Sequence, residues 1–113
     1  MKIKISALSK NEDFRNILGG KKVSNKYLTI FFSKIPSKSK NSFNMSIITK
    51  KKLGNAVLRN KIKRRLRNII REAVKNIKLN LEYSYLFMAK KNIFEDNYDL
   101  IKKDVFKGLN KIK

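Results

Sequence analysis

The sequence predicts an α/β fold of the α+β sandwich kind: a single domain in the order α-β-β-(β)-α-β-α, with helices packed on a small mixed sheet. Three observations predict it. Three runs of strand length are rich in aromatic and branched residues, apolar stripes at helical spacing lie before, between and after them, and 42% of the 113 residues are hydrophobic. A chain of this length buries about two thirds of the surface that its unfolded form exposes, enough for one core. No repeat, low-complexity tract or shift in composition marks a second domain, so residues 1–113 are expected to fold as one unit.

The first helix is announced by Ser9 with Glu12 three residues later, a capping box that satisfies two otherwise free backbone amides. Asp13 suits the positive end of the helix dipole, and Gly19-Gly20 ends the helix. Phe14, Ile17 and Leu18 share a face at three- and four-residue spacing and are expected to pack on the core.

Tyr27 to Ser33 forms the first strand, closed by a loop from Lys34 to Asn41 around Pro36. Phe43 to Thr49 forms the second, expected to lie antiparallel beside the first. Alternation puts Phe43, Met45 and Ile47 on its more apolar face and Asn44, Ser46 and Ile48 on the other.

The long helix runs from Ala56 to Ile77. At about 100° per residue, Ile62, Leu66, Ile69, Ile70, Ala73 and Ile77 fall in one stripe, while Asn60, Arg64, Arg67 and Arg71 fall opposite. Arg59 would project toward the apolar stripe if the helix were already regular there, which places it near the fraying first turn without fixing its direction. Tyr83 to Lys90 is a third apolar run of strand length. Asp96 or Asn97 caps a last helix with the stripe Tyr98, Ile101, Val105, Leu109 and Ile112.

Charge points to the partner. Against 8 Asp and Glu stand 29 Lys and Arg, for a net charge of +21, and that balance calls for a polyanion. The apolar content exceeds that of a disordered basic tail. With no cysteine and no histidine, the chain lacks disulfides, thiolate metal sites, the commonest metal ligand and the commonest general base, so protein-borne catalysis is not expected. The first ten residues carry no apolar run suited to a signal peptide or a membrane span, and a cytoplasmic location is expected.

Five of the six arginines, at 59, 64, 65, 67 and 71, crowd into the long helix, whereas lysine supplies most of the charge elsewhere. Guanidinium grips phosphate in two-point geometry and stacks on bases, so arginine gathered on one face suggests structured recognition of a polyanion. A helix face of charges is ordinarily just a solvated surface. Here Glu72 is the one acid within reach, and like charges at helical spacing repel until a polyanion arrives. Lys50-Lys51-Lys52 runs through Leu53-Gly54-Asn55 into the helix N-terminus, where free amides also favour phosphate. The spaced glycines and Gly-Lys-Ser/Thr ending of a nucleotide-binding loop are missing. A ribosomal protein, an RNA chaperone, a DNA-binding helix and a cationic membrane-surface helix share this charge economy.

The run Lys51-Lys52-Leu53-Gly54-Asn55-Ala56-Val57-Leu58-Arg59-Asn60-Lys61-Ile62-Lys63-Arg64-Arg65-Leu66-Arg67 resembles, without a gap, the signature of the protein subunit of bacterial ribonuclease P, which removes the 5′ leader of precursor tRNA. The resemblance extends upstream through Leu8 to Phe14 and downstream to Ala89-Lys90 and the last helix. It implies a left-handed β-α-β crossover and a helix that docks on the catalytic RNA through Arg59, Asn60, Lys63, Arg64, Arg65 and Arg67, to which the clustering adds Arg71. It also implies a cleft between first helix and sheet that holds the single-stranded leader, lined by Phe14, Leu18, an aromatic of the first strand, Lys51, Lys52 and Lys90. Phe31 is favoured over Phe32 for that strand, since neighbours face opposite ways. Leu18 stands where the family often has an aromatic, and Asn68 where it commonly has an acid. The partners implied are ribonuclease P RNA and precursor tRNA, with no membrane and no obligate protein partner. Hydrolysis would belong to Mg2+ held mainly by the RNA subunit, with no metal bound by the protein alone and no catalytic residue in it.

Overall fold

The structure, a computed structural model, describes residues 3–8, 11–34, 42–94 and 96–112. Its strands are β1 (Lys4–Ala7), β2 (Lys21–Ser24), β3 (Leu28–Lys34), β4 (Ser42–Ile48) and β5 (Tyr83–Ala89). Its helices are α1 (Asn11–Leu18), α2 (Ala56–Asn76) and α3 (Tyr98–Asn110), with short 3-10 turns at Lys51–Leu53 and Lys91–Phe94. The strands form one five-stranded sheet in the order β1-β4-β5-β3-β2, parallel at β1–β4 and β4–β5 and antiparallel elsewhere.

β5 occupies the centre because both its faces are apolar. Tyr85 and Phe87 join Phe43, Met45, Ile30 and Phe32 in a large core under α2 and α3, while Leu86, one residue out of phase, joins Ile17 and Leu8 under α1. Phe43 and Tyr85 stack with centroids 4.7 Å apart. On α2 the stripe Ile62, Leu66, Ile69, Ile70 and Ala73 is buried, and Phe43, Met45 and Ile47 lie on the face toward it, as the periodicities predict.

Three expectations are corrected. The run 43–49 is not the antiparallel neighbour of 27–33: β5 lies between them, since α2 returns the chain to the end from which β4 started and the doubly apolar β5 gains most from the middle. The order is β-α-β-β-β-α-β-α, with β1 ahead of the first helix. Leu18 is 43% exposed and leaves the core to Ile17. Ser9 of the capping box and residues 35–41 of the loop lie outside the described residues.

Of the two candidates, Asn97 caps α3, accepting from the Leu100 amide at 3.1 Å. Asp96 is engaged elsewhere, taking the Tyr27 hydroxyl and pairing with Lys26 at 3.3 Å.

Candidate nucleic-acid interface

The start of α2 is built by two adjacent residues. Gly54 has φ 141°, a conformation that side chains disfavour, and a Cβ there would stand 3.0 Å from Leu58 Cδ1. Asn55 then caps the helix, its side-chain oxygen accepting from the Leu58 amide at 3.0 Å. No acid occupies the first turn, and Lys50, Lys51 and Lys52 stand exposed just before it. Lysine ammonium groups and the positive end of a helix dipole thus share one corner.

Beyond that corner Asn60, Arg64, Arg67, Asn68 and Arg71 are exposed and, with half-buried Lys63, wall a recess of about 400 Å3 along the helix. Arg65 and Arg59 are half-buried, and the Arg59 Nε is buried with no hydrogen-bond partner among the described residues. Glu72 gives these arginines nothing: it pairs with Lys102 of α3 at 3.4 Å and accepts from the Tyr98 hydroxyl at 3.1 Å. That hydrogen bond, after burial, holds the Tyr98 phenol above its ordinary pKa. Among the described residues the ion pairs are Lys26–Asp96, Lys34–Glu82 and Lys102–Glu72, and none uses an arginine. The candidate residues Arg59, Asn60, Lys63, Arg64, Arg65, Arg67 and Arg71 therefore lie on one helix, with Arg64, Arg67 and Arg71 exposed and no carboxylate paired with them among the described residues.

A second surface lies across the sheet, where Phe14, Phe31 and Ile48 pack as half-buried residues around Leu8, Ile17 and Leu86. Phe31 is on the α1 side; Phe32 is on the other, 7% exposed and edge-on to Tyr83 at 5.1 Å. Lys51 and Lys52 follow the end of β4 that carries Ile48. Leu18 is outside this cluster and faces solvent.

Lys90 is half-buried and braced. Its ammonium donates to Ser24 Oγ at 2.7 Å and to the Asn25 carbonyl, and its backbone amide to the Tyr27 carbonyl at 2.8 Å. The same turn is fastened to α3, because Asn25 Nδ2 donates to the Asp104 carbonyl at 2.8 Å and the Tyr27 amide to the Asp104 carboxylate at 3.2 Å. Gly108 permits that approach, since a Cβ there would meet Asn25 Nδ2 at 2.7 Å. The Tyr27 hydroxyl, then Lys26, holds Asp96 below the usual carboxylate range.

Sequence reasoning missed Lys22. It is exposed on β2 and directly opposite Phe31 in the antiparallel register, so the two side chains share a face and a cation stands beside the aromatic. Its only signal was the pairing of a four-residue strand, which no local pattern reveals.

Among the described residues no group of three or more acidic side chains is placed to hold a metal ion, and no helix is long and apolar enough to cross a membrane.

The family model described as Ribonuclease P matches residues 3–113. The chain is 38% identical over 109 residues to the ribonuclease P protein component of Fusobacterium nucleatum, covering 96% of this chain and 94% of that one. It is 32% identical over 96 residues to that of Streptococcus agalactiae, covering 84% and 83%. The solved RNase P protein of Staphylococcus aureus matches with a TM-score of 0.79 at 29% identity, covering 95% and 94%. That of Thermotoga maritima matches in fold, with a TM-score of 0.80 at 23% identity over 96% and 98%. With the family model matching residues 3–113 and a relative 38% identical over 109 residues, the chain belongs to the ribonuclease P protein family, RNA-binding components of a tRNA-processing nuclease.

Proposed function

We propose that this chain docks on the catalytic RNA of ribonuclease P through the basic face of α2 and holds the 5′ leader of precursor tRNA against the α1 side of the sheet, assisting endonucleolytic removal of the leader. The observation that carries this reading is the face itself: Asn60, Lys63, Arg64, Arg67 and Arg71 line one recess while Glu72, the acid of the same helix, is turned away to Lys102. Phe14 and Phe31 offer the leader half-exposed rings for stacking, a contact worth about 1 to 3 kcal/mol per base. Lys22 borders that surface beside Phe31, and Lys51, Lys52 and braced Lys90 lead from the neighbouring ends of the parallel strands β4 and β5 as phosphate contacts.

Hydrolysis is assigned to Mg2+ ions held mainly by the RNA subunit. The protein has no histidine and no cysteine, and its part is electrostatic and positional. Screening phosphate repulsion and gripping the leader act as ground-state binding, which raises substrate affinity and lowers the magnesium requirement. Contacts to phosphate carry no base information, so one protein serves many precursors. The reaction is placed in the cytoplasm, with RNA partners and no obligate protein partner.

The test is cleavage of precursor tRNA by the cognate RNA subunit at low magnesium, with and without this chain. Strong stimulation is expected, lost in an Arg64→Ala/Arg67→Ala variant that still folds. RNA binding without stimulation would replace this reading with that of a ribosomal protein or RNA chaperone.

A further inference from the structure

At the edge of the sheet the arginine face of α2 runs into a second recess that the docking reading does not use. The register Ile5↔Phe43 and Ala7↔Met45 puts Ile5 and Ala7 of β1 on the side of the sheet that α2 covers. Between them and the helix lies a recess of about 240 Å3. Its floor is apolar, with Met45 7% and Ile70 1% exposed, and Arg67 and Arg71, one helical turn apart, stand at its rim. No acid lines it. The same two arginines also wall the recess along the outer face of α2, so the two surfaces are continuous.

We propose that this recess takes one unpaired nucleobase of the RNA subunit, with Arg67 and Arg71 holding the phosphates on either side of it. The inference rests on reading α2 as the RNA dock and adds a base-sized site to it. The chemistry selects the occupant: an apolar floor suits the face of an uncharged planar ring, and the guanidinium rim suits the phosphates to which that ring is tethered. Size limits it further, since sites for whole cofactors run to roughly 300–1,000 Å3 and this recess is smaller. Among the described strands β1 is at the edge of the sheet, and the backbone N–H and C=O groups on its outer side give the polar rim of a base something to bond to. Single-stranded or bulged RNA supplies such bases; a continuous duplex does not.

The test uses the full chain and cognate ribonuclease P RNA without precursor tRNA, so that a base from the substrate cannot enter. Ala7→Leu fills the recess without touching a charge. Its affinity for the RNA is expected to fall roughly tenfold, with the salt dependence unchanged because every arginine and lysine still reaches its phosphate. In the wild-type complex the Ile5 and Ala7 methyl resonances are expected to move upfield under the ring current of a stacked base, a readout that holds even if the variant folds poorly. Unchanged affinity in a folded Ala7→Leu protein, or methyl resonances that stay in place in a formed complex, would overturn the proposal and leave the dock intact. The dock itself fails by a different sign: an Arg64→Ala/Arg67→Ala protein that binds the RNA as tightly as wild type.

Discussion

Glu72 lies on the arginine-rich helix yet pairs with Lys102 of α3, 3.4 Å away, and so tightens the contact between two helices instead of neutralising the surface beside it. Charge is thus divided by direction. Toward α3 the helix is paired; toward solvent its arginines are left in mutual repulsion, which a polyanion relieves.

Glu72→Gln is expected to cost about 1 kcal/mol of stability, since the Lys102 pair is partly exposed and the Tyr98 hydrogen bond is weakened rather than deleted. Affinity for ribonuclease P RNA is expected to hold or rise. A urea melt with a parallel binding isotherm checks both, and weaker binding would show that Glu72 organises the arginines.

Phe31 and Phe32 are adjacent, chemically identical and on opposite faces. Phe32→Ala removes a ring from the large core and is expected to cost about 3 to 5 kcal/mol. Phe31→Ala is expected to cost less in stability and to weaken precursor tRNA binding roughly tenfold, with no effect on mature tRNA that lacks the leader. Equal losses on the two RNAs would remove Phe31 from leader binding.

The start of α2 is expected to be sensitive at two neighbouring positions. Asn55→Ala loses the cap on the Leu58 amide and should cost about 1 kcal/mol. Gly54→Ala forces a side chain into φ 141° against Leu58 and should cost about 1 to 3 kcal/mol. Thermal melts of the two single variants check this, and a Gly54→Ala protein as stable as wild type would mean that the turn relaxes freely.

Burial, with a smaller contribution from Tyr83, lifts the Tyr85 phenol above its ordinary pKa of 10.0. The fold therefore favours the neutral phenol, whose hydroxyl donates to the Asn80 carbonyl at 2.5 Å. That contribution is whole below pH 10.0 and is lost as pH rises from there toward the folded value. Wild type is expected to be more stable than Tyr85→Phe at neutral pH, with the gap closing in alkali. Lysine deprotonation occurs in both proteins and cancels in the comparison. A gap that stays constant through the alkaline range would contradict the burial of this phenol.

Where a pattern is local, the sequence was enough to read the structure. The stripe from Ile62 to Ala73 and the alternation of β4 both follow from spacing along the chain. What escaped depends on pairing between distant segments. β1 and β2 are four residues each, rich in lysine as edge strands often are, and have too little apolar pattern to announce themselves. The place of β5 between β3 and β4 is a matter of return path and two-sided burial. The site divides in the same way: the arginine face could be drawn on a helical wheel, whereas Lys22 beside Phe31, the bracing of Lys90 by Ser24 and the outward turn of Leu18 appear only once strands and helices are set against one another.

The central claim is that the exposed face of α2 neutralises RNA phosphates, and salt dependence tests it most directly. Affinity for ribonuclease P RNA would be measured over a range of monovalent salt for wild type and for Arg64→Ala/Arg67→Ala, with melting curves to confirm that both are folded. The logarithmic slope is expected to fall by about 1 to 2, close to one counterion for each phosphate that the two arginines neutralise. Two parallel lines of equal affinity would contradict the account and move the RNA dock off this helix.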